Sequence, residues 1–192
     1  WIVFIDVNIW RGDFWGFITG DISDGKIISK TSIYKEKLNQ QITDSRITLQ
    51  ARPVSDEITD GYFVTDDGYA AENSTIIEHG VLKTHLLSLY GANKTGGQRA
   101  VNGGGAFVVD AGEKQKDELI KNIKKGILLE RFSGGRPSAD GEFSGVAKNS
   151  YYIENGEIKY PISETMISGN IQEMFNNIGE ISSDRIDFGY CI

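Results

Sequence analysis

A chain of 192 residues with 20 Lys and Arg against 27 Asp and Glu carries a formal charge of −7. That length can bury a real core, and that charge repels a phosphate backbone. The single cysteine, Cys191, forms no internal disulfide, and no run of about 18 apolar residues is present, so a cytoplasmic protein is expected, with neither nucleic acid nor membrane as partner.

Both ends look cut. The chain opens at Trp1 inside the apolar run WIVFIDVNIW and stops at Ile192 straight after FGYC, which suggests a fragment lacking an N-terminal domain. In the first thirty residues Phe14, Gly16, Ile18 and Gly20 interleave with Trp15, Phe17 and Thr19, and Asp24-Gly25 then leads into KIISKTSI; the alternation predicts a hairpin. Residues 34–42 hold no Gly or Pro and read as a short helix. ITLQARPV is extended, and residues 59–71 are rich in turn signals, including Asp60-Gly61 and Asp67-Gly68.

Two later segments share the pattern I-E-x-G-x-[LI]-K, at Ile77-Glu78-His79-Gly80-Val81-Leu82-Lys83 and at Ile153-Glu154-Asn155-Gly156-Glu157-Ile158-Lys159. In both a residue tolerant of positive φ precedes Gly between β-formers, as a two-residue type I′ turn requires. An internal duplication and two hairpins sharing one turn chemistry explain the pattern equally well. Helix is expected to follow Lys83, then a flexible glycine-rich loop (KTGGQRAVNGGGAF), then a strand from Phe107. Leu119, Ile120, Ile123 and Ile127 recur at helical spacing, so one amphipathic helix is predicted over residues 113–130, with Lys121 to Lys125 on its solvated face. A last helix is predicted over residues 169–178. Seven to nine strands with about three segregated helices define an α+β fold built mainly on antiparallel sheet.

Side-chain chemistry is sparse. His79 and His85 stand six apart, a spacing that fails for a helical zinc pair, so no metal ligands are assigned. Ser133 and Ser144 lack the frame of a nucleophile elbow, GGRPSADG lacks the Lys-Ser/Thr of a phosphate cradle, and the acidic pairs sit among turn residues; no catalytic residue is assigned. The stretch RFSGGRPSADGEFSGVAKNS offers backbone instead. Gly134, Gly135 and Gly141 permit close main-chain approach, Arg131 and Arg136 can hold carboxylates or carbonyls, and Phe132 and Phe143 supply apolar floor. Such a surface suits an extended peptide docked by strand addition; a wide inter-strand loop is the plainer alternative.

RFSGGRPSADGEFSGVAKNSYYIENGEIKYPISETMISGNIQEMFNNI resembles the C-terminal portion of the TldD/PmbA (TldE) family, and TDDGYAAENSTIIEHGVLKTHLL resembles an earlier block of it. The resemblance runs from about Gly16 onward and leans toward the PmbA-like branch. It implies the C-terminal domain of a component of a cytoplasmic metallopeptidase system that handles unfolded peptides. One subunit of such a system carries zinc on an H-E-x-x-x-H helix with a distant cysteine; its PmbA-type sister lacks these ligands. H-E-x-x-x-H is absent here, which a start downstream of that helix would equally explain; it is the likeness of RFSGGRPSADGEFSGVAKNS to the PmbA-like branch that implies the zinc-free member, with zinc in a TldD-like homologue that joins it as a heterodimer, or else a homodimer. Cys191 lies near the family's cysteine position in a poorly matching context and is read as a core or interface thiol. The expected peptide-facing wall is Arg131, Phe132, Ser133, Gly134, Gly135, Arg136, Phe143 and Asn149. Two other readings stay open: the C-terminal half of an active zinc peptidase whose metal helix lies outside this chain, and a non-enzymatic β-rich peptide-binding module. The family's label as a modulator of DNA gyrase ranks last, because an acidic chain without a basic stripe has no electrostatic route to DNA.

Overall fold

The computed structural model describes residues 2–5, 15–59, 61–135 and 137–185. In chain order they form β1 (Ile2–Ile5), α1 (Trp15–Asp21), α2 (Asp24–Ile28), β2 (Leu49–Ala51), β3 (Ser74–Glu78), β4 (Val81–Leu82), α3 (Leu89–Thr95), β5 (Phe107–Val109), α4 (Lys116–Lys121), β6 (Lys125–Leu129), β7 (Arg131–Gly134), β8 (Glu142–Lys148), β9 (Ser150–Glu154), β10 (Glu157–Ile162), β11 (Thr165–Asn170) and α5 (Ile171–Asn176). Among these strands only the β1–β6 pairing is parallel, so the mainly antiparallel α+β class holds. No helix among the described residues is long and apolar enough to cross a membrane.

The described residues divide into two compact units, one of Ile18–Asp110 with Phe175–Ile178, the other of residues up to Phe17 with Ala111–Met174 and Gly179–Arg185. The first is built on a sheet of order β4-β3-β2-β5. Its strands bury Leu49, Ala51, Ile76, Ile77, Leu82 and Val108, each at most 1% exposed; every such Leu or Ile side chain contributes about 1.5–3 kcal/mol of burial free energy. The predicted I′ turn is present, with His79 at φ 45° and Gly80 at φ 81°.

Three local expectations fail here and in the second unit, each because a tertiary partner overrides local pattern. The hairpin expected through Asp24-Gly25 is instead α1 and α2. Ile18 and Ile22, four apart on one helical face, are fully buried, and Asp24 opens α2 with its carboxylate accepting the Ser88 N–H at 2.9 Å. The helix expected over residues 34–42 is a run of turns, because its amides pair with the β4 hairpin. Asn39 N–H donates to Leu82 O at 2.7 Å and Ile42 N–H to Gly80 O at 2.9 Å. The single helix over residues 113–130 stops after α4, and its second half is β6, a strand flanked on both sides by β1 and β9. Leu128 and Leu129 are buried there, and a continuous apolar run suits a strand with neighbours on both edges.

The second unit holds a four-stranded sheet, β1-β6-β9-β10, and a three-stranded one, β11-β8-β7. Ile120, Ile123, Leu128 and Ile153 pack together with Tyr151 against them. The chain crosses between the two sheets at one corner, outward through Glu130 from β6 to β7 and back through Asn149 from β8 to β9. Asn149 makes this bend with φ 50°, a left-handed conformation that Asn tolerates better than most residues. Ser150, fully buried, staples the corner: its hydroxyl donates to Lys148 O at 2.8 Å and accepts the Glu130 N–H at 3.3 Å.

Candidate functional site

Strand β7 is an edge. It pairs with β8 through Arg131↔Lys148, Phe132↔Ala147, Ser133↔Val146 and Gly134↔Gly145, and no strand lies on its other side among the described residues. Residues directly opposite share a face and successive residues along a strand swap faces. One face of the three-stranded sheet therefore carries Phe132, Gly134, Phe143, Gly145 and Ala147, the other Arg131, Ser133, Ser144, Val146 and Lys148.

The first face explains the glycines. The Phe132 ring lies across them: a Cβ at Gly134 would stand 2.6 Å from the ring, and one at Gly145 would stand 2.5 Å from the ring and 2.7 Å from Gly134 Cα. Phe143 meets Phe132 edge-on, with centroids 5.8 Å apart at 84°, and its tip would lie 3.3 Å from a Cβ on Gly169. Gly135 differs, since a Cβ there meets nothing within 4 Å. The second face is open to solvent at Arg131, Ser133, Ser144 and Lys148.

The structure thus brings Arg131, Phe132, Ser133, Gly134 and Phe143 into one strand pair, sets Gly135 just beyond it, and puts Asn149 at the corner beside the Arg131↔Lys148 pair. Arg136, also expected in the wall, and Cys191 lie outside the described residues. Two supporting residues escaped the sequence reading. Asn170 donates to Asp140 O at 3.0 Å and Glu142 Oε1 at 2.9 Å while its own oxygen accepts the Gln172 N–H at 2.9 Å, so it ties the β7–β8 loop to the start of α5. Lys148 stands directly opposite Arg131, a pairing set by the register of β7 on β8.

Away from this sheet, Asp67 is the most strongly held carboxylate. Arg99 grips it through Nε at 2.8 Å and Nη2 at 2.7 Å, the Thr65 hydroxyl donates at 2.7 Å and the Leu89 N–H at 2.9 Å. The hydrogen bond from Arg99 is the main reason its carboxyl sits well below the usual carboxylate range. Arg99 in turn stacks on Tyr69, 3.9 Å from the ring centroid.

The described residues do not offer a zinc ligand set: no three His, Cys, Asp or Glu side chains among them gather where an ion would sit. His79 occupies its turn, and His85 Nε2–H donates to Tyr34 O at 3.1 Å.

Two mainly antiparallel sheets, one of them ending in an edge strand whose Phe132 lies with Phe143 over a glycine bed, define an α+β domain with a site built from backbone and rings. The family model described as the PmbA/TldA metallopeptidase C-terminal domain matches residues 3–192, and the chain belongs to that family. It is 29% identical over 175 residues to Metalloprotease PmbA of Escherichia coli O157:H7, a match covering 88% of this chain and 38% of that protein. It superposes with a TM-score of 0.87 and 29% identity on a crystal structure, from Bacteroides thetaiotaomicron, of a proposed modulator of DNA gyrase, over 95% of this chain and 41% of the other. TldE from Thermococcus kodakarensis shares the fold at a TM-score of 0.76 and 21% identity, over 87% of this chain and 41% of that one. The chain spans about two fifths of the length of the curated relatives it matches.

Proposed function

We propose that this chain is the peptide-receiving C-terminal domain of a PmbA/TldE-like component of a metallopeptidase system, which holds unfolded peptide as an added strand along β7 while a homologous subunit carries the zinc. One observation supports this reading above the rest: among the described residues β7 is the edge strand of its sheet, and one of its faces is fixed by the Phe132 ring seated on Gly134 and Gly145. Main-chain hydrogen bonding along such an edge gives affinity without demanding a sequence, which suits a substrate class defined by being unfolded.

The test uses an uncharged six-residue fluorescent peptide of Thr, Val and Ser. Its binding should protect the amides of residues 131–135 from hydrogen exchange, and alternate N-methylation of the peptide should weaken binding at least tenfold. Protection confined to residues 165–170, on the opposite edge, would overturn the assignment of the edge. The chain should also hydrolyse no peptide with or without added zinc; chelator-sensitive hydrolysis would favour the reading in which this chain belongs to the active peptidase.

A further inference from the structure

On the solvent face of the β7–β8 pair cations stand at one end and a carboxylate at the other. At the corner end Arg131 and Lys148 are directly opposed across β7 and β8, both exposed. Neither has an acidic partner among the described residues, although six other ion pairs are formed there. Like charges directly opposite on a sheet destabilise it, so the pair is maintained at a cost in a chain whose net charge is −7. Ser133, Ser144 and Val146 occupy the middle of this face, and Glu142 stands at the far end of β8, held by Asn170. From Lys148 to Glu142 is about 20 Å at the usual strand rise. Positive charge at one end and negative at the other give the face a direction.

Strand geometry gives a direction too. A peptide added antiparallel to β7 runs from the Gly134 end toward Arg131, so its C-terminal end arrives beside the two cations, and its N-terminal end lies toward Glu142. Charge and backbone polarity agree for the antiparallel strand and conflict for a parallel one, whose ammonium end would meet Arg131 and Lys148.

Resting on the reading that β7 receives peptide, we infer that Arg131 and Lys148 form a carboxylate subsite, which orients the peptide antiparallel to β7 and selects substrates with negative charge at their C-terminal end. The carboxylate comes from the chain terminus itself or from an acidic side chain in the last position; the chemistry recognised is the same. Arg131 offers a planar fork and Lys148 a point charge, so both sources fit.

The experiment compares three six-residue fluorescent peptides of identical Thr, Val and Ser composition in the first five positions, binding to the intact 192-residue chain. One ends in a free carboxylate, one in a C-terminal amide, and one in Asp with a C-terminal amide. The free acid should bind about tenfold more tightly than the plain amide, the sum expected of two exposed charge pairs, and the gap should shrink at about 1 M salt. Asp-amide binding like the free acid assigns the subsite to any terminal carboxylate; Asp-amide binding like the plain amide restricts it to the chain terminus. In Arg131→Gln/Lys148→Gln the ratio of acid to amide affinity should fall to about one, whatever the affinity of the amide itself, and Lys148→Arg should keep the preference. Equal binding of acid and amide by the unaltered chain refutes the subsite and leaves strand addition standing. Failure of all three peptides to bind overturns both together.

Discussion

The glycine bed under Phe132 makes a sharp prediction. Replacing Gly145 with Ala puts a methyl group 2.5 Å from one atom of the Phe132 ring, 2.7 Å from another and 2.7 Å from Gly134 Cα. The ring can swing, but the Gly134 backbone is held by the β7–β8 ladder, so part of the overlap has to be relieved by spreading the strands. Overpacking of this kind costs about 1–3 kcal/mol. At about 2 kcal/mol, and with about 2–4 °C lost per kcal/mol in a domain of this size, Gly145→Ala should melt about 6 °C below the unaltered chain by calorimetry. Gly135→Ala is the control, one residue past the strand, with nothing within 4 Å of the new methyl; it should stay within about 0.5 kcal/mol. In a Phe132→Ala background the penalty of Gly145→Ala should fall without vanishing, since the two ring contacts disappear and the backbone contact stays. A Gly145→Ala chain that melts with the unaltered one, or a Gly135→Ala chain that loses as much, would show that the ring does not fix this strand pair.

Three further outcomes are expected. The folded chain binds fewer protons at Asp67 than the unfolded chain at acid pH, so this carboxylate adds stability that rises with pH. The Tm difference between the unaltered chain and Asp67→Asn should be constant above about pH 5 and narrow as pH falls below about 4, the ordinary carboxylate value; a gap independent of pH down to about 2 would contradict it. Asn170→Ala removes two donors and a helix cap at once and should cost about 1–2 kcal/mol, with faster amide exchange in residues 137–142; unchanged exchange there would mean the loop is held otherwise. The Tyr34 hydroxyl is buried with no hydrogen-bond partner among the described residues, so Tyr34→Phe should leave urea stability unchanged or raise it by up to about 1 kcal/mol, and a loss beyond that would reveal a partner.

The turn chemistry of the two I-E-x-G hairpins was legible because its cause is local, whereas the alternation over Phe14 to Gly20 gave way to the helices α1 and α2. Both type I′ turns stand where Gly80 and Gly156 put them, since few residues besides Gly take those φ values. Residues 113–130 misled for a physical reason. Ile123 and Ile127 are four apart and satisfy helical spacing, yet Gly126 and the run Ile127-Leu128-Leu129 serve a strand equally well, and only the presence of β1 and β9 on either side decides between them. The candidate site divides in the same way. Its backbone character was readable in the density of glycine and arginine, while the opposition of Arg131 and Lys148 is a property of register across a loop whose length does not specify it.

Register also bears on the repeated I-E-x-G-x-[LI]-K pattern, for which duplication and shared turn chemistry were equally good explanations. The likeness extends beyond the turns. Gly80 N–H donates to Ile47 O and Gly156 N–H to Ile123 O, both at 2.8 Å and both 33 residues upstream. The acceptor lies in each case just before a strand, β2 or β6, that pairs antiparallel with the first arm of the hairpin, β3 or β9. The sheets then read β4-β3-β2-β5 and β10-β9-β6-β1, the same order with one difference, since β5 runs antiparallel to its neighbour and β1 parallel. Turn chemistry alone dictates two residues; it does not dictate a distant carbonyl at one fixed separation or the order of strands. The two units are therefore variants of one strand-and-hairpin plan. Only the second plan extends through its corner at Glu130 and Asn149 into the added sheet that carries β7, which places the candidate peptide edge on the part of the chain that the repeat does not account for.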